Sequence, residues 1–454
     1  MSLSKDTTRS RSMPKSKLTR STITGMAVTK IGLKHIGYKT RHALSANPVS
    51  GQPLQEHEEQ IGELILTVLS QLRGTAVKLS QLLSMEADIV PKTIIDKLHS
   101  ACHQVPPINK ALVRKQIVQE LGDTPKQLFK EFNSQAFSAA SIGQVHQAVA
   151  HDNTLLAVKV QYPGIGATIE SDLKMVEKLF WLLSKTTNKF PKKQVIALLM
   201  DEMQLRLQEE IDYEIEANHL RWFRQAVKLP SIVIPAVFET LSSRRVLSMD
   251  MLTGQHLEDW LESNPSQIQR NDVGQKLFDF FWYCTLQLKK INADPHPGNV
   301  LILADGQLGI LDFGCVRSLS DDFVCDFSDM IPKIVNGYFF NKNTQSLLES
   351  YKKLKFIEKN ITLEIFESQI MPDLKIYGQW LGEAYVEKTF DFNNKKPCPG
   401  KPENLSGSAI KFLSGMYSEQ PCFDRAHLGL MNLLSQIGAC INTDYLKFKS
   451  NEPV

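Results

Sequence analysis

The sequence predicts an α+β fold of two lobes, with an added N-terminal helical extension and a helical C-terminal region. Three observations carry this. Leu155 to Gln161 is a short apolar run holding one Lys, as in a buried strand. Long stretches before and after it repeat apolar residues every three and four positions, the helical period. Two Asp-containing loops, at 294–299 and 312–314, each follow an apolar stretch and flank a short hairpin.

The 454 residues are too many for one compact core, so two or three packed units are expected. Hydrophobic content of 42% and charged content of 22% are ordinary for a soluble globular protein. The net charge of +3 hides an uneven distribution. Residues 1–45 carry ten Lys or Arg and one acid, Asp6, which leaves a mildly acidic body of 42 basic and 48 acidic residues. Seven scattered cysteines without a C-x-x-C pair point to neither a disulfide framework nor a zinc site, and fit a reducing compartment. No run of about 18 apolar residues exists, so no spanning helix is expected. The nearest candidate, Phe278 to Leu288, reads as a buried helix of the larger lobe. The N-terminus is rich in Ser, Thr and Arg and nearly free of acids, a composition shared by basic tails and transit peptides.

Along the chain, 1–55 reads as a basic tail and linker. From Glu56, the residues Ile61, Leu64, Ile65, Val68, Leu69 and Leu72 form one apolar stripe, and a helical extension is expected over 56–135. A small lobe is expected over 136–253. It opens with the small residues of 136–148 and includes the 155–161 strand. One long helical stretch over about 166–225 and strands at 231–235 and 245–251 complete it. Residues 254–454 are expected to form a large, mostly helical lobe, interrupted by loops and strands at 292–316 and a loop at 392–408.

The chemistry lies in Asp294-Pro295-His296-Pro297-Gly298-Asn299 and Asp312-Phe313-Gly314. An Asp, an Asn five residues on, and a DFG after a short hairpin reproduce the spacing of a protein-kinase catalytic loop. Phosphoryl transfer needs a carboxylate to orient the nucleophile, a role that suits Asp294. It also needs hard oxygen ligands for Mg²⁺, which suits Asn299 and Asp312. Lys159, alone in Ala157-Val158-Lys159-Val160, must carry its ammonium to a polar place. In kinases that Lys bridges the phosphates and a helix Glu. The acids of Glu209 to Glu216 offer several such partners, Glu210 or a neighbour among them. Where a kinase has a glycine-rich phosphate loop, this chain has Ser138 to His146, so nucleotide contacts are expected from Ala139, Ala140, Ser141, Gly143, Gln144 and Val145. Alanine allows the backbone less freedom than glycine, so this loop should be stiffer.

The set AASIGQVH, AVKVQYPG, EEIDYEIEAN, ADPHPGN and LDFG, in this order, resembles the UbiB family of atypical kinases, also called aarF-domain kinases. The stretch from Gly74 to Gln81 looks like its K-x-G-Q motif. The resemblance covers about residues 56–445. It implies a protein-kinase-like fold, Mg-ATP binding, ATPase activity in preference to protein phosphorylation, and a link to ubiquinone biosynthesis. By resemblance, Lys159 binds nucleotide, and Glu210 and Asp212 fill an E-x-D motif. Asp294, Asn299 and Asp312 are the catalytic-loop Asp, its Asn and the DFG Asp. Lys78 and Gln81 belong to a helical extension that folds over the site. Three positions depart from the family's pattern: Ser80 replaces Gly in K-x-G-Q, Ser138 replaces Ala, and Asn292 replaces the His two residues before the catalytic Asp.

The expected function is an atypical kinase or ATPase that binds ATP and Mg²⁺ and supports ubiquinone or related isoprenoid-lipid metabolism. An anionic membrane surface or lipid precursor and quinone-biosynthesis proteins are the expected partners; nucleic acid is not. The expected place is cytoplasmic and peripherally membrane-associated, or the mitochondrial matrix in a eukaryote. A small-molecule phosphotransferase and a non-catalytic nucleotide-binding scaffold are the alternatives. The K-x-x-Q helix argues against the first, and the retained Asp294, Asn299 and Asp312 against the second.

Overall fold

The computed structural model describes residues 109–140, 142–167, 169–170, 172–174, 176–177, 181, 193–399, 412 and 414–449. The basic tail, most of the expected extension with Lys78 and Gln81, and Ser141 in the hairpin lie outside the described residues. The chain divides into two compact units, Met1–Pro107 with Tyr162–Gln208, and Ile108–Gln161 with Glu209–Val454.

The second unit opens with α1 (Lys110–Leu121), started by Asn109, whose side chain accepts from the Ala111 N–H, and ended by Gly122 in the left-handed region at φ +85°. Val113 and Ile117, four residues apart, face one way. A short α2 (Pro125–Leu128) follows, then strands β1 (Glu131–Phe132), β2 (Ser138–Ala140), β3 (Gly143–Val149) and β4 (Leu155–Gln161). Both β1 and β2 pair antiparallel with β3, one at each end of it. Val113, Ile117 and Phe129 pack with Ala148, Leu156, Val158 and Val160 into one buried cluster. Residues 109–135, read from the sequence as the end of the extension, thus help to build the core of the sheet. Their apolar stripe finds its partner there.

In the first unit, α3 begins at Lys193 and runs to Glu210, with Met200, Met203 and Leu207 buried. The chain returns to the second unit at Glu209 and forms α4 (Tyr213–Ala226). The single helical stretch expected over 166–225 is therefore broken at Ile211-Asp212. The cause is local. Asp212 takes an extended conformation, φ −117° and ψ 92°, and its carboxylate accepts the Glu214 N–H as a helix cap.

After β5 (Ile232–Val233), β6 (Val246–Asp250) pairs with β4 and completes a five-stranded antiparallel sheet. With β3 and β6 on its two sides, β4 is central, which is why its sequence is almost continuously apolar. Both sequence-expected strands, 231–235 and 245–251, are present as β5 and β6.

The larger part holds β7 (Gly254–His256), α5 (Leu257–Glu262), α6 (Gln267–Leu286), β8 (Lys290–Asn292), β9 (Val300–Leu303), β10 (Leu308–Ile310) and β11 (Val316–Ser318). Helices α7 (Asp321–Phe339), α8 (Thr344–Lys353) and α9 (Met371–Gly382), strand β12 (Thr389–Asp391), helix α10 (Gln420–Ile437) and strand β13 (Cys440–Asn442) follow. The order β5-β10-β9-β7 makes one small sheet, and β8-β11 and β12-β13 make two ribbons. The apolar run from Phe278 is the buried half of α6, as expected, with Trp282 packed against Phe423, His427 and Tyr445. The β12-β13 ribbon was not legible in the sequence. Its strands have three residues each and pair across 49 to 53 positions, from Asp391 with Cys440 to Thr389 with Asn442. Among the described residues, no helix is long and apolar enough to cross a membrane.

Candidate active site

Strand alternation decides where Lys159 points. Val158 and Val160 enter the cluster beneath α1, so Lys159 projects from the opposite face, opposite Val145 on β3 and Leu247 on β6. There its Nζ meets Glu216 Oε1 at 2.6 Å and Asp312 Oδ2 at 3.1 Å. The helix partner is thus Glu216, the last acid of the 209–216 run, and not Glu210. Burial alone would pull the Lys159 pKa down, but Asp312 and Glu216 outweigh it and the net shift is upward, so the ammonium stays charged. Burial pushes the Glu216 carboxyl up to about 7, against the opposing pull of Lys159.

Asp312 follows β10. Its Oδ1 accepts the Gly314 N–H at 2.8 Å, which turns Oδ2 to Lys159. Phe313 is fully buried, its ring 4.5 Å from that of Phe223 on α4. His219, also on α4, bonds the Phe313 carbonyl through Nδ1 at 2.9 Å. Burial lowers the His219 pKa, which favours the neutral ring. One helix thus holds both the Lys159 partner and the DFG segment. A second tie is the 2.8 Å ion pair from Arg317 on β11 to Glu209.

The Asp294 loop is fixed to the same segment by Asn292. Its Nδ2 donates to the Asp312 carbonyl at 2.7 Å, and its Oδ1 accepts the Asp294 N–H at 3.0 Å. Asn299 Nδ2 donates back to the Asp294 carbonyl at 3.4 Å, so its amide oxygen is the atom left for a ligand. Behind the loop, Arg425 of α10 donates from Nε to the Ala293 carbonyl at 2.7 Å. Gly429 leaves room for Pro295, whose Cγ would lie 2.1 Å from a Cβ there. Lys159, Glu216, Asp312, Asn292, Asp294 and Asn299 therefore form one connected set.

The remaining sequence-expected contacts divide by face. Ala140 pairs with Gly143, and Val145 with Lys159, on the lysine side of the sheet. Ala139 pairs with Gln144 one position out of phase, on the other side. The Gln144 side chain is buried there, bonded to His146 Nε2 at 3.0 Å. Only its backbone stays with the hairpin. Asp212, expected in an E-x-D motif, is engaged as the cap of α4 and in a 3.0 Å ion pair with Arg244. Glu210 ends α3, and its charge is felt at Glu216.

The profile of the ABC1 atypical kinase-like domain matches residues 100–349, more than half the chain. The chain belongs to the ABC1 (UbiB/COQ8) family of atypical kinases. The mitochondrial atypical kinase COQ8 of Saccharomyces cerevisiae is 25% identical over 445 residues, 96% of this chain and 85% of its own length. An uncharacterized Synechocystis protein, sll0005, is 30% identical over 330 residues, 71% of this chain. The mitochondrial atypical kinase coq-8 of Caenorhabditis elegans is 27% identical over 334 residues, 72% of this chain. The chain spans less than half the length of these last two relatives, 46% and 43%. Among solved structures, Rv3197 of Mycobacterium tuberculosis, determined with erythromycin, has a TM-score of 0.59 at 23% identity, covering 88% of this chain and 99% of that one. That likeness shows the shared kinase-like α+β fold.

In this ABC1 chain the donor set suits a magnesium nucleotide. The Asp312 carboxylate and the Asn299 amide oxygen are hard donors, and Mg²⁺ takes only one or two ligands from protein, filling the rest with phosphates and water. Among the described residues, no group of three His, Cys, Asp or Glu forms a separate metal centre.

The sequence offers several acids within 209–216 as partners for Lys159 and does not choose among them, because every acid in the run has the same chemistry. Asn292 was visible only as a departure. His219 and Arg425 carried no signal, since each acts on a backbone carbonyl of a distant segment.

Proposed function

We propose that this chain binds Mg-ATP and turns it over as an atypical kinase or ATPase supporting ubiquinone or related isoprenoid-lipid metabolism. The single observation behind this is the contact of Lys159 with both Glu216 and Asp312, the assembled arrangement of a phosphate-reading lysine. In this reading the Lys159 ammonium, kept charged by its two carboxylates, donates to nucleotide phosphate. Asp312 and Asn299 hold the metal, which neutralises charge on the β- and γ-phosphates. Asp294 orients the attacking hydroxyl or water and accepts its proton. The hairpin of Ala139, Ala140, Ser141, Gly143, Gln144 and Val145 covers the phosphates mainly through its backbone. Glu210 and Asp212, with Lys78 and Gln81 of the extension, limit what else reaches the site.

The yeast and nematode relatives are named atypical kinases, and the motif set resembles a family linked to ubiquinone biosynthesis; together these favour that reading over a small-molecule phosphotransferase. Lipid intermediates also give a reason for peripheral membrane attachment through the basic tail, in the cytoplasm or the mitochondrial matrix. The deciding experiment is Mg²⁺-dependent ATP turnover by the full chain and by Asp294→Asn, with and without membrane lipid or candidate acceptors. Turnover lost in the variant and raised by lipid supports the proposal. Efficient transfer to a soluble small molecule favours the phosphotransferase, and no turnover under any condition favours a scaffold.

A further inference from the structure

Tyr213 opens α4, three residues before Glu216 and so on the same helix face. Its side chain is buried, with the residue 4% exposed, yet among the described residues its hydroxyl has no hydrogen-bond partner. Buried polar groups are nearly always paired, and an orphan hydroxyl is costly to keep. Something other than the described protein atoms should pair with it.

The surroundings say what that is. A Cβ on Gly143 would lie 3.0 Å from the Tyr213 hydroxyl. Gly143 faces Gln161 across the β3-β4 ladder, and Val145 faces Lys159. Residues two apart on a strand share a face, so the hydroxyl lies on the lysine side of the sheet, at the foot of the small-residue hairpin. The charges of Lys159, Glu216, Glu210 and Asp312 all act on it. The same Cβ would lie 2.4 Å from the Val160 carbonyl oxygen, so the backbone requires glycine at 143, and glycine keeps a side chain off the hydroxyl.

We infer that the Tyr213 hydroxyl is a nucleotide contact, donating a hydrogen bond to a phosphate oxygen of bound Mg-ATP. Phosphate is the ligand chemistry that Lys159 on the same face already calls for, and an anionic oxygen accepts such a bond strongly. Burial pushes the phenol pKa up, so the hydroxyl keeps the proton it donates. The inference rests on the proposal that this site binds Mg-ATP.

Tyr213→Phe removes the oxygen and keeps the ring. The test compares the full-length wild type and this variant by Mg-ATP titration and by nucleotide-free melting. The variant should bind Mg-ATP about tenfold more weakly, the loss of one charge-assisted bond. Its nucleotide-free melting temperature should equal or exceed that of the wild type, since no partner among the described residues is lost. Equal Mg-ATP affinity in the two proteins overturns the inference. So does a lower melting temperature of the nucleotide-free variant, which would show a structural role. A wild type that binds no Mg-ATP overturns the functional proposal itself, and the inference with it.

Discussion

Lys159 and Glu216 stand 57 positions apart in the chain, and their side chains meet at 2.6 Å in a setting where each is less than a tenth exposed. Removing one member of a buried pair leaves the other charge uncompensated, typically at a cost of about 3 kcal/mol or more. Glu216→Ala should therefore lower unfolding stability by about 3 kcal/mol at pH 8, above the titration of the carboxyl. Urea denaturation measures this. An unchanged midpoint would place the Lys159 charge under the control of Asp312 alone.

Asp312→Asn should abolish the Mg²⁺-dependent thermal shift by ATP, because a neutral amide is a poorer Mg²⁺ ligand than a carboxylate. It also removes one of the two carboxylate partners of Lys159. A thermal shift of wild-type size in the variant would show that the metal is held elsewhere.

Asn292 is the side chain that joins the Asp294 loop to the DFG backbone. Asn292→Ala removes two bonds that set the relative position of two reacting loops. A misplacement of about 1 Å can cost about a hundredfold in rate, so ATP turnover should fall by roughly ten- to a hundredfold. The melting temperature should change little, since the residue is only partly buried. Asn292→His should restore part of the rate, as imidazole can donate to the Asp312 carbonyl. Full activity in the alanine variant would assign the loop geometry to Arg425 and Pro295 instead.

His427 on α10 is buried among aromatic rings, and its Nε2 lies 2.7 Å from the Tyr385 hydroxyl. Burial, with Lys395 adding to it, lowers its pKa to about 3 from an ordinary 6.5. The unfolded chain therefore binds the extra proton between these values and the fold does not. The stability tied to a neutral His427 is complete above pH about 6.5. It is lost as pH falls, by up to about 1.4 kcal/mol per pH unit. Glu216 and Asp424, both pushed up to about 7, act in the opposite sense. The comparison that isolates His427 is the stability of wild type minus that of His427→Gln from pH 7.5 to 5. It should fall with pH, and a flat difference would show that the ring is protonated in the fold.

The basic tail lies outside the described residues, and its role is tested directly. Lys30, Lys34, Lys39 and Arg41 could together contribute roughly 4 kcal/mol of attraction to anionic lipid. The full chain should float with cardiolipin-containing liposomes, and a chain lacking residues 1–45 should not. Equal flotation would move the anchor elsewhere, and no flotation of either would remove membrane attachment from the proposed function.

By itself, the sequence determined the features that are local. The five-residue step from Asp294 to Asn299 and the DFG turn are short sequence patterns, so the chemistry expected of them can be read from spacing. The apolar run around Lys159 marked a central strand, because a strand with neighbours on both sides has no solvent edge. Tertiary structure decided the choices between chemically equal residues. Eight positions of 209–216 hold several acids, and only the break at Asp212, which starts a new helix, brings Glu216 beneath Lys159. Gln144 and Val145 are neighbours in sequence, yet the pleat sends one to His146 and the other to the lysine side. The same holds for Asn292 and Arg425. Each acts across a gap of sequence through contacts that exist only once the sheet, α4 and α10 have packed.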